Sequence, residues 1–397
     1  MQPTTRSIES ETAVAAAETG APLPDAPRSD AAQSDAASSG GHRPRKSPGF
    51  WKAAWREFRR NRLAMIALAF VVFLAVVAIL SPAIAGTKPV VAYYKGGYYF
   101  PAMAYFNPDW ENPVFQKDRF RKRYGVNLTK KDPDAWAIWP LVKQDPLRPV
   151  RRGEFPDDPG NPTGIEGSPS WRNLFGTTSV GKDVFAQMVH GTRISLLVGF
   201  VSMGIATVIG VSIGAVAGFV GGVVDAVLSR VIEIALCIPT LVLILALIAV
   251  IERVTVWHLM AVIGVTGWTG IARLTRAEFL KHRESDFVAA ARVTGVSTPR
   301  IVLRYILPNS IAPVLVPITF GIAGAILIES GLSYLGFGPP PPTPSWGRLL
   351  KDGKEDYTLW WLTVFPGLAI FAAVLAYNLI GEGLQEATDP RVRERGE

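Results

Sequence analysis

The sequence has 397 residues, of which 49% are hydrophobic and only 19% are charged, below the roughly one quarter that is usual in soluble domains. Several uninterrupted apolar runs are long enough to cross a bilayer, which excludes an ordinary soluble fold and favours a polytopic membrane protein. The net charge of +8 lies largely beside these runs, so it indicates membrane orientation rather than a nucleic-acid partner. The single cysteine, Cys237, excludes an internal disulfide, and its place in an apolar run predicts burial.

The N-terminal part of the sequence is a polar region that leads into a first apolar span. Residues 1–47 are rich in Ala, Ser, Pro, Gly and Asp, which predicts a disordered cytoplasmic tail. Residues 48–87 comprise a basic interfacial segment, anchored by Trp51 and Trp55, and the uncharged span Leu63–Thr87. The end of this span resembles a signal-peptidase site, but the polar region before it is far longer than that of a signal peptide. We therefore expect an uncleaved span that runs from inside to outside.

Residues 88–192 form a long polar insert with many Pro, Tyr and Trp residues. We expect an ordered, loop-rich extracytoplasmic subdomain, because a long loop that follows an inside-to-outside span lies outside the membrane. Its aromatic residues favour a small hydrophobic core. The alternative is an aromatic surface that meets a binding protein or the substrate.

Five further apolar runs follow the insert, namely Ile194–Val224, Ile234–Ile251, Val254–Ala272, Tyr305–Ile328 and Tyr357–Gly381. Glycines at four-residue intervals in the first of them favour close helix packing, and Pro239 predicts a kink in the next. Together with the first span, these runs predict an all-α polytopic membrane protein with six transmembrane helices. Residues 193–383 then form a core of five spans.

The distribution of basic residues agrees with a single topology. Six spans that begin inside leave both termini in the cytoplasm, together with the loop at residues 273–304, which holds seven Lys or Arg residues. The tail at residues 384–397 is also rich in arginine.

This cytoplasmic loop predicts a short helix that ends in a glycine turn. Ser285 is suited to cap its N-terminus, and Asp286 lies in the first turn, where the helix dipole favours an anion. Gly295 is placed to end the helix in a left-handed conformation, and Thr298 to cap a second helix. A smooth face of small residues suits docking into a groove of a soluble partner, whereas the alternative is a simple turn between spans. The candidate docking residues are Phe287, Ala289, Ala290, Ala291, Thr294 and Gly295.

The loop resembles the cytoplasmic coupling loop, often called the EAA loop, of the peptide-type permeases of bacterial ABC importers. Ala289–Ala291, Gly295 and Tyr305–Pro308 match the spacing of that loop, with Ala289 in place of the glutamate and Tyr305 in place of an isoleucine. Three further segments resemble the same family: Asn173–Gly199, Phe337–Leu350 and Gly383–Arg391. The insert is similar to the branch associated with microcin C and oligopeptide uptake.

The resemblance implies the MetI-like core of a type I importer, with six transmembrane helices in the bacterial inner membrane. It also implies a second, homologous permease subunit, two cytoplasmic ATPase subunits, an extracytoplasmic substrate-binding protein and contact with membrane lipids. ATP and magnesium would bind to the ATPase subunits, so this chain would need no cofactor, metal or catalytic site. The implied substrate is a dipeptide or oligopeptide, with glutathione and nickel chelates as alternatives.

Ionisable side chains within or beside the predicted spans are few, and such groups are functional candidates by default. Glu329, with Ser330 and Ser333, lies at the outer end of the fifth predicted span. It could line the substrate pathway, or it could be a charge on the outer surface. Arg230 and Glu233 are three residues apart and predict an ion pair.

Other classes of function have little support in the sequence. Gly176–Lys182 fits the pattern of a phosphate-binding loop, but Asp183 follows where a hydroxyl should reach magnesium, and its charge would repel phosphate. A membrane enzyme would need a catalytic constellation that four histidines do not supply. A channel or secondary transporter predicts more intramembrane charges and internal repeats than we find.

Overall fold

The computed structural model describes residues 50–155 and 159–388, so the tail predicted at residues 1–47 and most of the C-terminal tail lie outside the described residues. Helices make up most of the described chain. In order they are α1 (Phe50–Phe58), α2 (Arg62–Ile84), α3 (Pro113–Lys117), α4 (Tyr124–Lys131), α5 (Val184–Val220), α6 (Gly222–Leu236), α7 (Thr240–Ala249), α8 (Val256–Thr266), α9 (Thr269–Arg283), α10 (Asp286–Val293), α11 (Thr298–Arg300), α12 (Leu307–Tyr334), α13 (Trp346–Glu355) and α14 (Trp361–Thr388). A π-helical segment, Ile301–Ile306, joins α11 to α12.

Four helical stretches are long and apolar enough to cross a membrane: α2, α5, the continuous run from α11 to α12, and α14. Helices α6 and α7 pass the same test only as one broken span, because the chain bends by 82° between them, next to Pro239. The predicted fourth span is divided at Gly267 and Trp268 into the short apolar helix α8 and the start of α9. The described chain is therefore a mostly helical membrane protein with four or five apolar spans. The count of six stays a prediction.

The glycine ladder on α5 brings this helix against α9. A Cβ atom on Gly210 would lie 2.8 Å from the Trp268 carbonyl oxygen. A Cβ atom on Gly214 would lie 2.4 Å from the Ala272 carbonyl oxygen, and one on Gly218 would lie 2.6 Å from the Arg276 carbonyl oxygen. These distances are shorter than any real Cβ contact, so only glycine permits this helix separation. The predicted close packing is confirmed, and it couples the long central span to the helix that precedes α10.

The insert contains a small sheet, which an all-α prediction did not include. Strands β1 (Val91–Tyr94), β2 (Gly97–Tyr99) and β3 (Trp136–Ile138) form an antiparallel sheet in the order β2-β1-β3. Short 3₁₀ helices at Pro101–Tyr105, Pro108–Trp110 and Gly164–Gly167 complete the regular structure of the insert. A core of buried aromatic side chains lies beneath the sheet: Tyr94, Phe115, Phe120 and Tyr124. The favoured interpretation of the aromatic residues as a small core is thus confirmed for this group.

Two further expectations have different outcomes. Helix α1 lies against α14, and Trp51 and Trp55 are half exposed, as expected of interfacial anchors. The predicted burial of Cys237 is wrong, because its side chain is exposed within this chain at the break between α6 and α7. An apolar run in a membrane protein can face lipid, so hydropathy alone does not imply contact with the rest of the protein.

Candidate functional site

Helix α10, the candidate docking helix, begins at Asp286 as the sequence predicts. Ser285 is the N-cap residue, but its hydroxyl donates to the His282 carbonyl at 2.5 Å and makes no capping hydrogen bond to α10. The prediction of a Ser285 side-chain cap is therefore wrong, because the end of α9 lies closer to that hydroxyl. The carbonyl of Ser285 still accepts from the Ala289 amide at 3.1 Å and so starts the helix.

The C-terminus of α10 is a Schellman motif built around Gly295. The Val296 amide donates to the Ala291 carbonyl and the Gly295 amide to the Arg292 carbonyl, both at 3.0 Å. Gly295 has a φ of +74°, which confirms the predicted left-handed stop. The next helix begins one residue earlier than predicted, with Ser297 rather than Thr298 at the N-cap position, and the Ser297 side chain makes no capping hydrogen bond.

The two faces of α10 differ sharply in exposure. Val288 and Ala291 are 0% and 6% exposed, and they pack with Phe279 of α9. Ala291 therefore faces the body of the protein and is not available for docking in this structure. The exposed face comprises Asp286, Phe287, Ala289, Ala290, Arg292, Val293 and Thr294.

Val293 is a member of this exposed face that the sequence did not reveal. It is 89% exposed, although valine is usually buried. Its position three residues after Ala290 could have indicated it, because that spacing places two side chains on one side of a helix. The exposed face therefore includes Val293 and excludes Ala291, unlike the predicted set of docking residues.

A local core holds α10 against three other elements. Phe279 of α9 and Ile301 and Ile306 of the π-helical segment are buried together with Val288 and Ala291. On the other side, the Arg292 guanidinium lies 5.9 Å from the ring centroid of Phe219 of α5. Helix α10 is thus in contact with α5, with α9 and with the π-helical segment that leads into α12.

Several charged side chains of α9 form ion pairs. The Arg276 guanidinium of α9 binds the Asp225 carboxylate of α6 through two hydrogen bonds, one of them 2.7 Å long. The sequence did not predict this pair, since its members are 51 residues apart. Burial lowers the pKa of His282, and the Glu278 carboxylate, 3.7 Å from the imidazole, acts in the opposite direction.

The pathway candidate Glu329 is fully buried near the C-terminal end of α12, together with Ser330 and Ser333. The hydroxyl of Ser333 donates to its carboxylate at 2.7 Å. Helix α13 covers the group closely, since a Cβ at Gly347 would lie 2.6 Å from the Ser330 Cα atom. The alternative of an outer-surface charge is therefore wrong, and in this conformation α13 packs over the group.

The segment that resembles a phosphate-binding loop has a structural role. Asp183 is buried, and its carboxylate accepts from the Ala186 amide and from the Asn173 side chain, both at 2.7 Å. It is thus the N-cap of α5. The predicted ion pair of Arg230 and Glu233 is present at 2.8 Å, on the exposed surface of α6.

Comparisons with known proteins agree with these features. The family model of the inner membrane component of binding-protein-dependent transport systems matches residues 210–394, and that of the N-terminal transmembrane domain of oligopeptide transport permease C matches residues 49–107. The chain is 33% identical to the inner membrane ABC transporter permease protein YejE of Escherichia coli K12, over 85% of this chain and 96% of that protein.

Two further proteins match a smaller share of the chain. The chain is 36% identical to the dipeptide transport system permease protein DppC of Alkalihalophilus pseudofirmus, over 59% of this chain and 77% of that protein. An inward-facing structure of the MetNI methionine ABC transporter aligns with 49% of this chain and 95% of its own, with 16% identity and a TM-score of 0.40.

Proposed function

Since this chain belongs to the family of inner membrane components of binding-protein-dependent transport systems, we propose that it forms one half of the pathway of an ATP-driven peptide importer. It is a permease component of a peptide ABC transporter, a multi-pass inner membrane protein and a transport subunit rather than an enzyme. It works in a complex with ATPase subunits. The other half of the pathway is a second, homologous permease subunit, and an extracytoplasmic binding protein delivers the peptide.

The exposed face of α10 is the observation that carries the proposed coupling. This face is formed mostly by small uncharged side chains, which allow the close approach of a groove on an ATPase subunit. Behind it, the core around Phe279 and Val288 supplies a rigid mount. When the ATPase subunits bind ATP and magnesium and close, α10 moves with them and the spans re-orient as packed bodies.

The proposed topology has six spans with both termini in the cytoplasm. The seven basic residues at 273–304 support a cytoplasmic position for α10. Counting the broken pair α6–α7 as the third span, and α8 with the start of α9 as the fourth, gives six crossings. The three-stranded insert after α2 then lies on the outer side.

The peptide substrate is supported by the relative from Alkalihalophilus pseudofirmus, a dipeptide transport system permease protein, and by the oligopeptide-permease model at residues 49–107. The test is transport by the complete complex in proteoliposomes. We expect uptake of a radiolabelled tripeptide that requires both internal ATP and the binding protein. Uptake that is independent of ATP would contradict an ABC importer. Uptake of glutathione or a nickel–histidine chelate, but of no peptide, would contradict the substrate.

A further inference from the structure

A cavity of about 260 Å³ lies at the outer ends of α5 and α8, where the insert meets the loop at residues 342–344. We call it the outer cavity. Its walls are largely apolar and include Phe106 of the insert, Leu197 of α5, and Trp257 and Met260 of α8. The volume is slightly below that of typical small-molecule sites, so it suits one or two residues of a longer ligand.

Arg193 of α5 is the permanent charge among the residues that line the outer cavity. Its guanidinium lies 4.5 Å from the ring centroid of Phe106 and makes one long hydrogen bond, of 3.5 Å, to the Phe106 carbonyl. No carboxylate of the described residues forms an ion pair with it. Asp145, which accepts a hydrogen bond from Tyr105 of the cavity wall, is held by Thr87 and Arg148.

A guanidinium carries five N–H donors in a planar fork, and most of those of Arg193 are unused. Such a fork binds carboxylate or phosphate through two parallel hydrogen bonds, and apolar surroundings strengthen them. The arrangement is thus a single positive group beside an apolar pocket. It matches a ligand that carries a terminal carboxylate next to an apolar side chain.

We propose that the outer cavity receives the C-terminal end of the transported peptide, with Arg193 binding its free carboxylate. This inference rests on the proposed peptide function. The walls consist of extramembrane segments and helix ends, which suits a ligand that arrives from water. A phospholipid would place its acyl chains along the sides of the spans.

The test compares a tripeptide of two alanines and a C-terminal phenylalanine with its C-terminal amide, in proteoliposomes that contain the complete transporter. Both peptides are supplied at concentrations that load the binding protein equally, so the difference in uptake reports the permease. We expect the wild type to import the free acid at least about tenfold faster, since the neutral amide cannot form charged hydrogen bonds of the same strength with the guanidinium. Arg193→Met should lower the uptake of the free acid to that of the amide, and Arg193→Lys should retain part of the preference. The matched control is Arg230→Met, on the exposed surface of α6, which should leave the preference unchanged.

Each other outcome contradicts the proposal in a distinct way. If Arg193→Met and Arg193→Lys each lowered the uptake of both peptides equally, the role of the arginine would be purely structural, through its packing on the Phe106 ring. A wild type without preference would exclude carboxylate recognition. An effect of the substitution that disappears in vesicles of neutral lipid would assign the site to a lipid phosphate. A wild type that imports neither peptide would overturn the peptide function itself, and this inference with it.

Discussion

At the scale of single residues, the two neighbouring alanines of α10 have opposite roles. Ala290 is exposed, whereas Ala291 is 6% exposed and packs in the local core with Phe279. The same substitution made at each position in turn therefore distinguishes an effect on docking from an effect on folding.

We expect Ala291→Leu to lower the free energy of unfolding by about 1–3 kcal/mol, because the added methylenes overfill a packed core. Ala290→Leu should leave the stability unchanged and weaken the retention of the ATPase subunits. The measurements are the thermal midpoint in detergent and the amount of ATPase that co-purifies. A loss of stability in Ala290→Leu, with none in Ala291→Leu, would contradict the orientation of α10.

The position of Gly295 requires a left-handed backbone conformation, but it has space for a larger side chain. Its φ is +74°, and no atom lies within 4 Å of the position that a Cβ atom would occupy. Gly295→Ala should thus cost about 1 kcal/mol through backbone strain alone. Hydrogen exchange of the α10 amides should become about fivefold faster.

The matched control is Gly204→Ala in α5, where a Cβ atom also meets nothing within 4 Å but φ lies outside the left-handed region. It should leave the exchange of α10 unchanged. Equal exchange rates in Gly295→Ala and the wild type would show that the Schellman turn does not hold the helix end.

At the scale of the elements, the contact of α5 with α9 links the central span to the docking helix. Gly214→Ala should lower the thermal midpoint by at least about 2 °C, because the new Cβ would lie 2.4 Å from the Ala272 carbonyl oxygen and the two helices must separate. The same change at Gly204 should be neutral. An unchanged midpoint in Gly214→Ala would mean that the helices are not held at this distance.

Local patterns predicted some elements well and others poorly. Apolar runs located α2, α5, α12 and α14, because a bilayer requires long uncharged helices. The run at Val254–Ala272 has the same composition but is divided at Gly267 and Trp268, and hydropathy does not report such breaks. The sheet of the insert was missed because β1 pairs with β3 across 43–47 residues, a contact that local periodicity cannot encode.

For the candidate site, too, the sequence predicted the local features of α10 but not its contacts with other helices. The start of α10, its glycine stop and the exposure of Ala290 follow from local signals, and the structure agrees with them. The burial of Ala291 and the pairing of Asp225 with Arg276 depend on which helices lie nearby. Nothing in the local sequence specifies those neighbours.

At the scale of the whole molecule, the insert has an aromatic core of its own, separate from the core of the spans. Phe115 is 2% exposed, and the centroid of its ring lies 5.0 Å from the ring centroid of Phe120 and 5.3 Å from that of Tyr124. Phe115→Ala should lower the free energy of unfolding of the insert by about 3–5 kcal/mol. Limited proteolysis should then cut within residues 88–183, while the spans stay intact.

The control for the insert is Phe100→Ala, since this phenylalanine is 58% exposed in the same subdomain. It should leave the cleavage rate near that of the wild type. Aggregation of the spans in Phe115→Ala would indicate instead that the insert and the membrane core fold as one cooperative unit.

The central claim is that α10 joins the permease to its ATPase subunits. The most direct measurement is co-purification of the ATPase subunits with the tagged permease and with two variants that each add one carboxylate to an exposed position, Ala290→Asp in α10 and Thr129→Asp in the insert. We predict that the wild type and Thr129→Asp retain the ATPase subunits equally. Ala290→Asp should retain at least about tenfold less, because docking would desolvate an unpaired charge. Full retention by Ala290→Asp would contradict the claim.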